Sequence, residues 1–461
     1  MASISPIKGF PEWLPPQRMV EQQLLDRIRR RYELFGYVPV ETRAVEPIDY
    51  LASKGGDADK EIYVLRRLHA DAEDRDGAGL GLHFDLTVPF ARYVVQNRGR
   101  LSFPFRRYQI QKVWRGERPQ DGRFREFYQC DADVIAPEKL SLQYDVEIAQ
   151  LLFEVVSDLP VPTPTIQVNN RKILEGFYRA LGVENITPTL RIVDKLDKIG
   201  PAAVRQLLQD QLGMSDEASA KVLQLSEIAG SGLGVLDQVR ALGVQHPLLE
   251  EGLSELEFVL RGASDIPDGR LRANLKIARG LDYYTGIVFE GQLDGHEDLG
   301  SVCSGGRYEN LASHYTKSRL PGVGISIGAT RLYYQLREAG LIGTAESTVT
   351  VLVTQMDAGL MPVYLDIATQ LRNAGINTEL VLDSAKLGKQ LKYASKAGIR
   401  FAVIVGENEV AKSVVMVKDL AKEEQFEVPR GELITALRVE IEQAEALGEL
   451  RRRGAVKEAQ A

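Results

Sequence analysis

Apolar positions near the start of the chain recur at helical spacing and then give way to strict alternation. The spacing predicts a helix from Pro16 to Phe35 that ends at Gly36, followed by a strand from Tyr37 to Val45. A helix and a strand of this kind suit either an internal core or a dimer interface. The sequence by itself favours the core.

Short β-rich runs separated by polar turns fill the stretch from Gly81 to Val134. They lack the strand, long helix, strand rhythm of a parallel sheet, so an antiparallel sheet is predicted. A helix from Leu142 to Val156 follows. The pattern is almost wholly helical from Pro188 to Arg261, with Ser215 as a predicted N-terminal cap, and β-rich sequence resumes at Leu275. The sheet is therefore predicted to be interrupted by an inserted helical domain.

Strands and helices alternate in the last quarter of the chain. The predicted elements are strands at 349–353, 378–382 and 401–405 and helices at 361–373 and 387–397. This alternation predicts a compact α/β domain with a largely parallel sheet.

These patterns together predict an α+β fold: an antiparallel sheet with flanking helices, a helical insertion and a C-terminal α/β domain. The predicted boundaries are 1–187 and 266–338 for the two parts of the sheet domain, 188–265 for the insertion, 347–440 for the C-terminal domain and 441–461 for a charged tail.

Composition narrows the class of protein. The 461 residues are 44% hydrophobic and 26% charged, which is typical of a globular chain with more than one core. Cys130 and Cys303 are too few for a disulfide framework, and the histidines form no cluster with them that could bind zinc. The sequence has neither an apolar run of about 18 residues nor the apolar core of a signal peptide, so a cytoplasmic protein without membrane contact is expected.

The charge balance bears on possible partners. The chain has 57 basic and 64 acidic residues, a formal net charge of −7. This argues against indiscriminate coating of DNA, but a local basic face on an acidic protein can still bind RNA.

Arginines and glycines supply the candidate chemistry. The segments GSGLG (Gly230–Gly234) and GVGISIG (Gly322–Gly328) are weak nucleotide signals, because neither lies in a predicted βαβ unit, and no P-loop motif occurs. The stronger signal is a cluster of four arginines around turn residues: Arg115, Arg118, Arg123 and Arg125. It predicts a β-hairpin whose strands carry guanidinium groups toward a shared face, suited to phosphate oxygens. A solvated edge strand is the alternative interpretation.

Several segments resemble one family. VWRGERPQDGRFREFYQ is similar to motif 2 of class II aminoacyl-tRNA synthetases, and its ERPQ loop followed by YQCDAD is typical of the histidyl enzymes. RGLDYYTGIVFE resembles the histidine-binding block of that family, and GVGISIGATRL resembles motif 3. Further similarity lies in GFPEWLP, LHFDLTVPFARY, SGGRYENL and LGKQLKYASKAGI. The resemblance covers nearly the whole chain and implies a ligase that activates histidine with ATP and transfers it to the 3′ end of tRNA(His).

The resemblance also implies an ATP site. Arg115 and Arg279 would be the catalytic residues, with Arg115 at the α-phosphate and the substrate carboxylate, and Arg279 opposite. The other ATP-binding residues would be Glu117 at the base edge, Phe127 stacked on adenine, Arg331 at the γ-phosphate and Arg125 beside it. Mg²⁺ is expected to bridge the phosphates.

The implied histidine site has two ends. A neutral imidazole offers one N–H donor and one acceptor nitrogen, so its pocket should supply an acceptor and a donor. Asp133 and Tyr284 would take those roles. The remaining residues are Asp85, Thr87 and Gln129 for the α-ammonium and Tyr283 and Tyr308 as walls.

For tRNA, the resemblance places Arg118 and Gln120 of the motif 2 loop at the acceptor end. The C-terminal domain resembles the anticodon-binding module, and Lys389, Lys392 and Lys396 fall on one helical face suited to backbone phosphates. A merely solvated lysine face is the alternative. The family also implies a homodimer.

The sequence departs from the family pattern at two places. Thr330 precedes the motif 3 arginine where an acidic residue is more common, and motif 1 ends with residues 42–44 where a threonine and a proline are common. Two rival classes remain: a catalytically silent histidine sensor, such as the regulatory subunit of ATP phosphoribosyltransferase, and an RNA-binding scaffold. The sensor is expected to lack the C-terminal module and to have an eroded histidine block, whereas the scaffold is expected to lose Arg115 or Arg279. The chain keeps the module, the two tyrosines of the block and both arginines.

Overall fold

The chain divides into two units. The computed structural model describes residues 4–52, 61–68, 79–119, 122–277, 284–343 and 347–444. The first unit comprises Met1–Glu12 and Gln23–Ile342, and the second comprises Trp13–Gln22 and Gly343–Ala461. Within the described ranges, no helix combines the length and the apolar character that crossing a membrane requires.

The first unit is built on a nine-stranded mixed sheet. The strands of this unit are β1 (Val38–Pro39), β2 (Val45–Pro47), β3 (Leu80–Leu82), β4 (Phe105–Trp114), β5 (Glu126–Ile135), β6 (Pro164–Asn170), β7 (Ala229–Ser231), β8 (Leu271–Asn274), β9 (Tyr284–Leu293), β10 (Cys303–Tyr308) and β11 (Gly322–Gly328). The order across the large sheet is β1-β4-β5-β11-β10-β9-β6-β8-β7, and β2 pairs with β3 separately. Only the β1–β4 and β6–β8 pairs of the large sheet are parallel, so the antiparallel prediction holds for its centre.

Eleven α-helices lie in the described residues before position 343, and the first of them begins in the second unit and ends in the first. They are α1 (Pro15–Leu34), α2 (Ile48–Leu51), α3 (Thr87–Asn97), α4 (Gln143–Ser157), α5 (Arg171–Ala180), α6 (Ile186–Val193), α7 (Leu196–Leu212), α8 (Asp216–Glu227), α9 (Gly234–Ala241), α10 (Pro247–Gly262) and α11 (Ala329–Glu338). The predicted end of the first helix is confirmed, since Gly36 takes φ +78°, which favours glycine. The Ser215 cap is also confirmed, because its hydroxyl accepts the Ala218 amide at 3.1 Å. The strand predicted from Tyr37 to Val45 is wrong as one element, because β1 and β2 occupy only its two ends.

One face of the central sheet packs on helices. The Tyr32 hydroxyl of α1 donates to the Cys130 carbonyl at 2.9 Å, and Cys130 pairs with Ile110 and Ile327 in the ladder. The opposite face of β5 therefore carries Asp131 and its odd-numbered neighbours.

The helical segment predicted as an insertion joins the large sheet through β7, which pairs with β8. The expectation that GSGLG is only a loop is therefore wrong for Gly230. Helix α10 packs closely on α5, because a Cβ at Gly176 would lie 2.4 Å from the Leu249 nitrogen and one at Gly252 would lie 2.7 Å from the Ile173 nitrogen. The domain boundaries at 188 and 265 remain a prediction.

The second unit contains a five-stranded sheet of order β13-β12-β14-β15-β16. Its elements are β12 (Val351–Val353), α12 (Met361–Asn373), β13 (Thr378–Leu380), α13 (Leu387–Lys396), β14 (Phe401–Ile404), α14 (Glu407–Lys412), β15 (Val414–Asp419), β16 (Glu424–Pro429) and a helix over 433–444. The first three strands are parallel as predicted. The hairpin of β15 and β16 adds antiparallel pairs, so the sheet is mixed rather than largely parallel.

Candidate active site

A cavity of about 400 Å³ opens on the polar face of the large sheet. Residues paired in an antiparallel ladder share a face, and the register places Asp131, Ser326 and Ser304 in one row that continues to Glu290. The cavity brings together ten predicted site residues: Asp85, Thr87, Arg115, Glu117, Phe127, Gln129, Asp133, Tyr284, Tyr308 and Arg331.

Other predicted residues lie elsewhere. Arg125 is not part of the cavity wall, and its Nε donates to the Glu117 carbonyl at 3.1 Å, so it supports the loop. Arg118 is exposed, as are the three lysines of α13: Lys389, Lys392 and Lys396. The predicted residues Gln120, Arg279 and Tyr283 lie outside the described residues.

The arginine cluster occupies the connection between β4 and β5. The Arg115 amide donates to the Arg125 carbonyl at 2.9 Å, which closes the neck of this connection. The prediction that hairpin strands carry the arginines is therefore wrong in detail, because the strands end at Trp114 and begin at Glu126. Turn residues such as Gly122, with φ +73°, end the ladder and leave the guanidinium groups on a loop.

Main-chain and aromatic contacts fix Arg115. Its Nε donates to the Phe84 carbonyl at 3.0 Å, and its guanidinium carbon lies 5.2 Å from the centre of the Phe127 ring. Nη1 is 4.0 Å from the Glu117 carboxylate, which is too long for a tight ion pair. The terminal nitrogens of Arg115 therefore remain available to an anion in the cavity.

Asp133 lies at the other end of the cavity. Its Oδ2 is 2.8 Å from Nη2 of Arg107, which is fully buried, and its Oδ1 accepts the Tyr308 hydroxyl at 3.1 Å. Burial raises the pKa of Asp133, whereas Arg107 and Tyr308 lower it. Arg107 is thus the counter-charge of this carboxylate, and Tyr308 orients it rather than serving only as a wall.

Glycines of the GVG and SGG segments make room for these side chains. A Cβ at Gly324 would lie 2.1 Å from Oδ1 of Asp133, and one at Gly322 would lie 2.4 Å from the Tyr308 ring. A Cβ at Gly306 would lie 3.0 Å from the Tyr284 ring. The glycine pattern therefore shapes a side-chain pocket and is not a dinucleotide fingerprint.

If Asp133 binds histidine, as the resemblance implies, replacing Gly324 by alanine should weaken that binding by roughly 10- to 100-fold, because Asp133 must move away from the added methyl group. Titration calorimetry with histidine measures the effect. Gly328→Ala is the matched control at the end of the same strand, where the nearest atom would be 3.8 Å away, and it should keep the affinity. Equal affinities for both variants would show that the Asp133 position does not matter.

Helix α3 positions the remaining polar residues. Phe90 and Val94 pack with Ile135 and Tyr308, which holds the start of α3 at the rim of the cavity. Oδ1 of Asp85 accepts the Val88 amide at 3.0 Å in the first turn. Across the cavity floor, Nε2 of Gln129 donates to the Ser326 hydroxyl at 2.8 Å.

The sequence analysis missed Arg107, Asp131 and Ser326. Asp131 is 2% exposed and lines the cavity, and burial raises the pKa of its carboxyl to about 7. The period of two in β4 and β5 carried the signal: Arg107 and Gln109 on one strand and Asp131 and Asp133 on the other alternate with apolar or outward residues.

Thr330, which precedes Arg331, has a structural role. Its hydroxyl accepts the Tyr128 amide at 3.0 Å, and the side chain is buried. The contact ties the start of α11 to β5 and so supports the neighbouring Arg331.

The large sheet is antiparallel at its centre, and a loop that carries arginines joins its strands β4 and β5. The strand β11 and the helix α11 complete the wall of the polar cavity. This arrangement is that of the class II aminoacyl-tRNA synthetases. The chain belongs to the histidyl-tRNA synthetase family: the family model "Histidyl-tRNA synthetase" matches residues 9–332, and an "Anticodon binding domain" matches residues 348–440.

Relatives agree over most of the chain. The histidine–tRNA ligase of Thermobifida fusca is 52% identical over 86% of this chain and 91% of its own length. That of Xanthomonas oryzae pv. oryzae is 49% identical over 95% of this chain and 98% of its own. The crystal structure of histidyl-tRNA synthetase from Nostoc sp. PCC 7120 has a TM-score of 0.87 and 40% identity, covering 95% of this chain and all of that one.

Proposed function

We infer that this chain is a histidine–tRNA ligase, which activates histidine with ATP and transfers it to the 3′ end of tRNA(His). One observation carries the inference beyond the family: Arg115, which we propose binds phosphate, and Asp133, which we propose binds the imidazole, line the same cavity. A site for either substrate alone would not need both.

The ATP end of the site is assigned to the loop and α11. We propose that Arg115 binds the α-phosphate together with the histidine carboxylate, that Phe127 stacks on adenine and that Arg331 takes the γ-phosphate. Glu117 lies within reach of the base edge, since it shares the wall with Phe127. The position of Arg125 argues against direct contact with ATP and for support of Glu117 through its main chain.

The first step joins two anions, which repel each other. A histidine carboxylate oxygen attacks the α-phosphorus, the bond to the bridging oxygen of the β-phosphate breaks, and pyrophosphate leaves. Arg115 stabilises the charge that develops at phosphorus, because a guanidinium fork can bind both anions at once. Arg279 is proposed to act from the opposite side.

The imidazole is read by two groups of opposite kind. Asp133 accepts the ring N–H, and the Tyr284 hydroxyl donates to the other nitrogen. Tyr308 holds Asp133 in place through its 3.1 Å hydrogen bond. An amino acid without this donor and acceptor forms neither hydrogen bond, which disfavours it by about 10⁴-fold.

In the second step, the terminal ribose hydroxyl of tRNA attacks the carbonyl carbon of histidyl-adenylate and AMP leaves. We propose that a phosphate oxygen of the adenylate takes the hydroxyl proton. Arg118 and Gln120 are proposed at the acceptor end, and Lys389, Lys392 and Lys396 at the backbone of the anticodon arm.

Mg²⁺ is proposed to accompany ATP. Among the described residues no three carboxylate, histidine or cysteine side chains cluster as a metal site. Mg²⁺ bound mainly through phosphates and water needs only one or two carboxylates, and Glu290 of the cavity wall fits that requirement. The ion neutralises phosphate charge. A homodimer and a cytoplasmic location are also proposed, from the family.

Pyrophosphate exchange with a panel of amino acids tests the function. Purified protein should exchange labelled pyrophosphate into ATP with histidine and with no other amino acid, and it should charge tRNA(His). A protein that binds histidine without exchange would be a sensor, and the ligase proposal would be lost.

A further inference from the structure

Three buried acceptor oxygens in the cavity have no hydrogen-bond partner. They are Oδ2 of Asp85, Oε1 of Gln129 and Oδ1 of Asp131. All three residues line the same cavity and are at most 8% exposed. Buried acceptors without partners are rare in folded proteins, so their concentration at one place indicates a missing donor group.

Ser326 lies beside two of these residues. Its hydroxyl accepts Nε2 of Gln129 at 2.8 Å, and Ser326 pairs with Asp131 in the ladder of β5 and β11. Because Nε2 is engaged by Ser326, the amide presents its Oε1 as an acceptor. Ser326 therefore fixes the orientation of the Gln129 amide beside Asp131.

The cavity has more carboxylates than paired cationic groups, so it can bind a positively charged ligand group. Arg107 pairs with Asp133 at 2.8 Å, so Asp85 and Asp131 are the carboxylates without a close counter-charge in the described cavity. The pKa of Asp131 is raised by burial, then by Asp133 and Asp85, and is lowered by Arg107 and Ser326. A cation bound beside Asp131 would lower the pKa of its carboxyl group.

We propose that Asp131 is a further receptor for the α-ammonium group of histidine, in addition to Asp85, Thr87 and Gln129. An ammonium group has three N–H donors, which matches the three unpartnered oxygens. This inference rests on the proposed function, because it takes histidine as the ligand. It adds a substrate-binding residue that the motif comparison did not assign.

The test distinguishes the contribution of the ammonium group to binding from the contribution of the imidazole ring. Binding of histidine, of histidinol, which keeps the amine, and of 3-(imidazol-4-yl)propionate, which lacks it, is measured by calorimetry or by inhibition of exchange. Asp131→Asn should weaken histidine and histidinol by roughly 10- to 100-fold and leave the amine-free compound nearly unchanged. Ser326→Ala should give the same selectivity with a smaller loss.

Glu126→Gln is the matched control, since Glu126 lies on the same strand and bonds Lys112 and Trp114 away from the cavity. It should change none of the three affinities, and melting temperatures verify that every variant is folded. Equal losses for all three compounds, or no loss for any, would overturn the role of Asp131. Absence of histidine binding in the unaltered protein would instead refute the proposed function.

Discussion

Replacing Arg115 by alanine should lower histidine-dependent pyrophosphate exchange by about 10³-fold, because the charge at the α-phosphorus loses its principal donor. The Nε bond to the Phe84 carbonyl and the contact with the Phe127 ring hold the guanidinium in place before substrate arrives. Arg115→Lys should recover little of the loss, since an ammonium group cannot bind phosphate and carboxylate in the same planar fork.

Arg106→Ala is the control for this experiment. Arg106 is the neighbour of Arg107 on β4 and pairs with Glu147 at 2.9 Å on the helix-covered side of the sheet. Arg106→Ala removes one positive charge, as Arg115→Ala does, but it changes no residue of the cavity wall. Pyrophosphate exchange should therefore persist. An Arg115→Ala variant as active as Arg106→Ala would contradict the assignment of the α-phosphate to Arg115.

The second large effect is expected at Asp133. Asp133→Asn should lower kcat/KM for histidine in the exchange reaction by about 10³-fold or more, because the amide can present its N–H₂ where the imidazole N–H needs an acceptor. The same change should lower the free energy of unfolding by about 3 kcal/mol, since Arg107 is fully buried and loses the carboxylate at 2.8 Å.

Urea unfolding and exchange kinetics separate these two effects. Combining Asp133→Asn with Arg107→Met removes the stranded charge and should restore much of the stability, whereas histidine recognition should stay lost. If the double variant recovers exchange, instability and not recognition caused the defect. Wild-type kinetics in Asp133→Asn would show that the imidazole is read elsewhere.

The period of two along β4 and β5 already places Arg107, Asp131 and Asp133 on one side of the sheet. The alternation does not show which strands are neighbours, because contacting residues lie far apart along the chain. Gln129 and Ser326, for example, are hydrogen-bonded and 197 residues apart. The motif comparison found Asp133 and Tyr308 by position. Only the ladder shows that Tyr308 orients Asp133 and that Gly324 leaves the space for it.

Local patterns were sufficient where the determining interactions are local. The end of α1 at Gly36 and the cap at Ser215 follow from backbone conformation and side-chain chemistry within a few residues. The arginine cluster was found, but its placement on strands was wrong, because turn residues near Gly122 break the ladder.

The sequence by itself determined the family, the order of the main elements and ten of the residues that line the cavity, since motifs and periodicity can be read along the chain. Tertiary structure alone decided which charges neighbour one another. The pairing of Arg107 with Asp133, and the three acceptor oxygens that face the cavity without partners, depend on burial and on contacts between distant strands. The charge state of a buried carboxylate depends both on its removal from water and on the charged groups beside it, and both are established only when the chain folds.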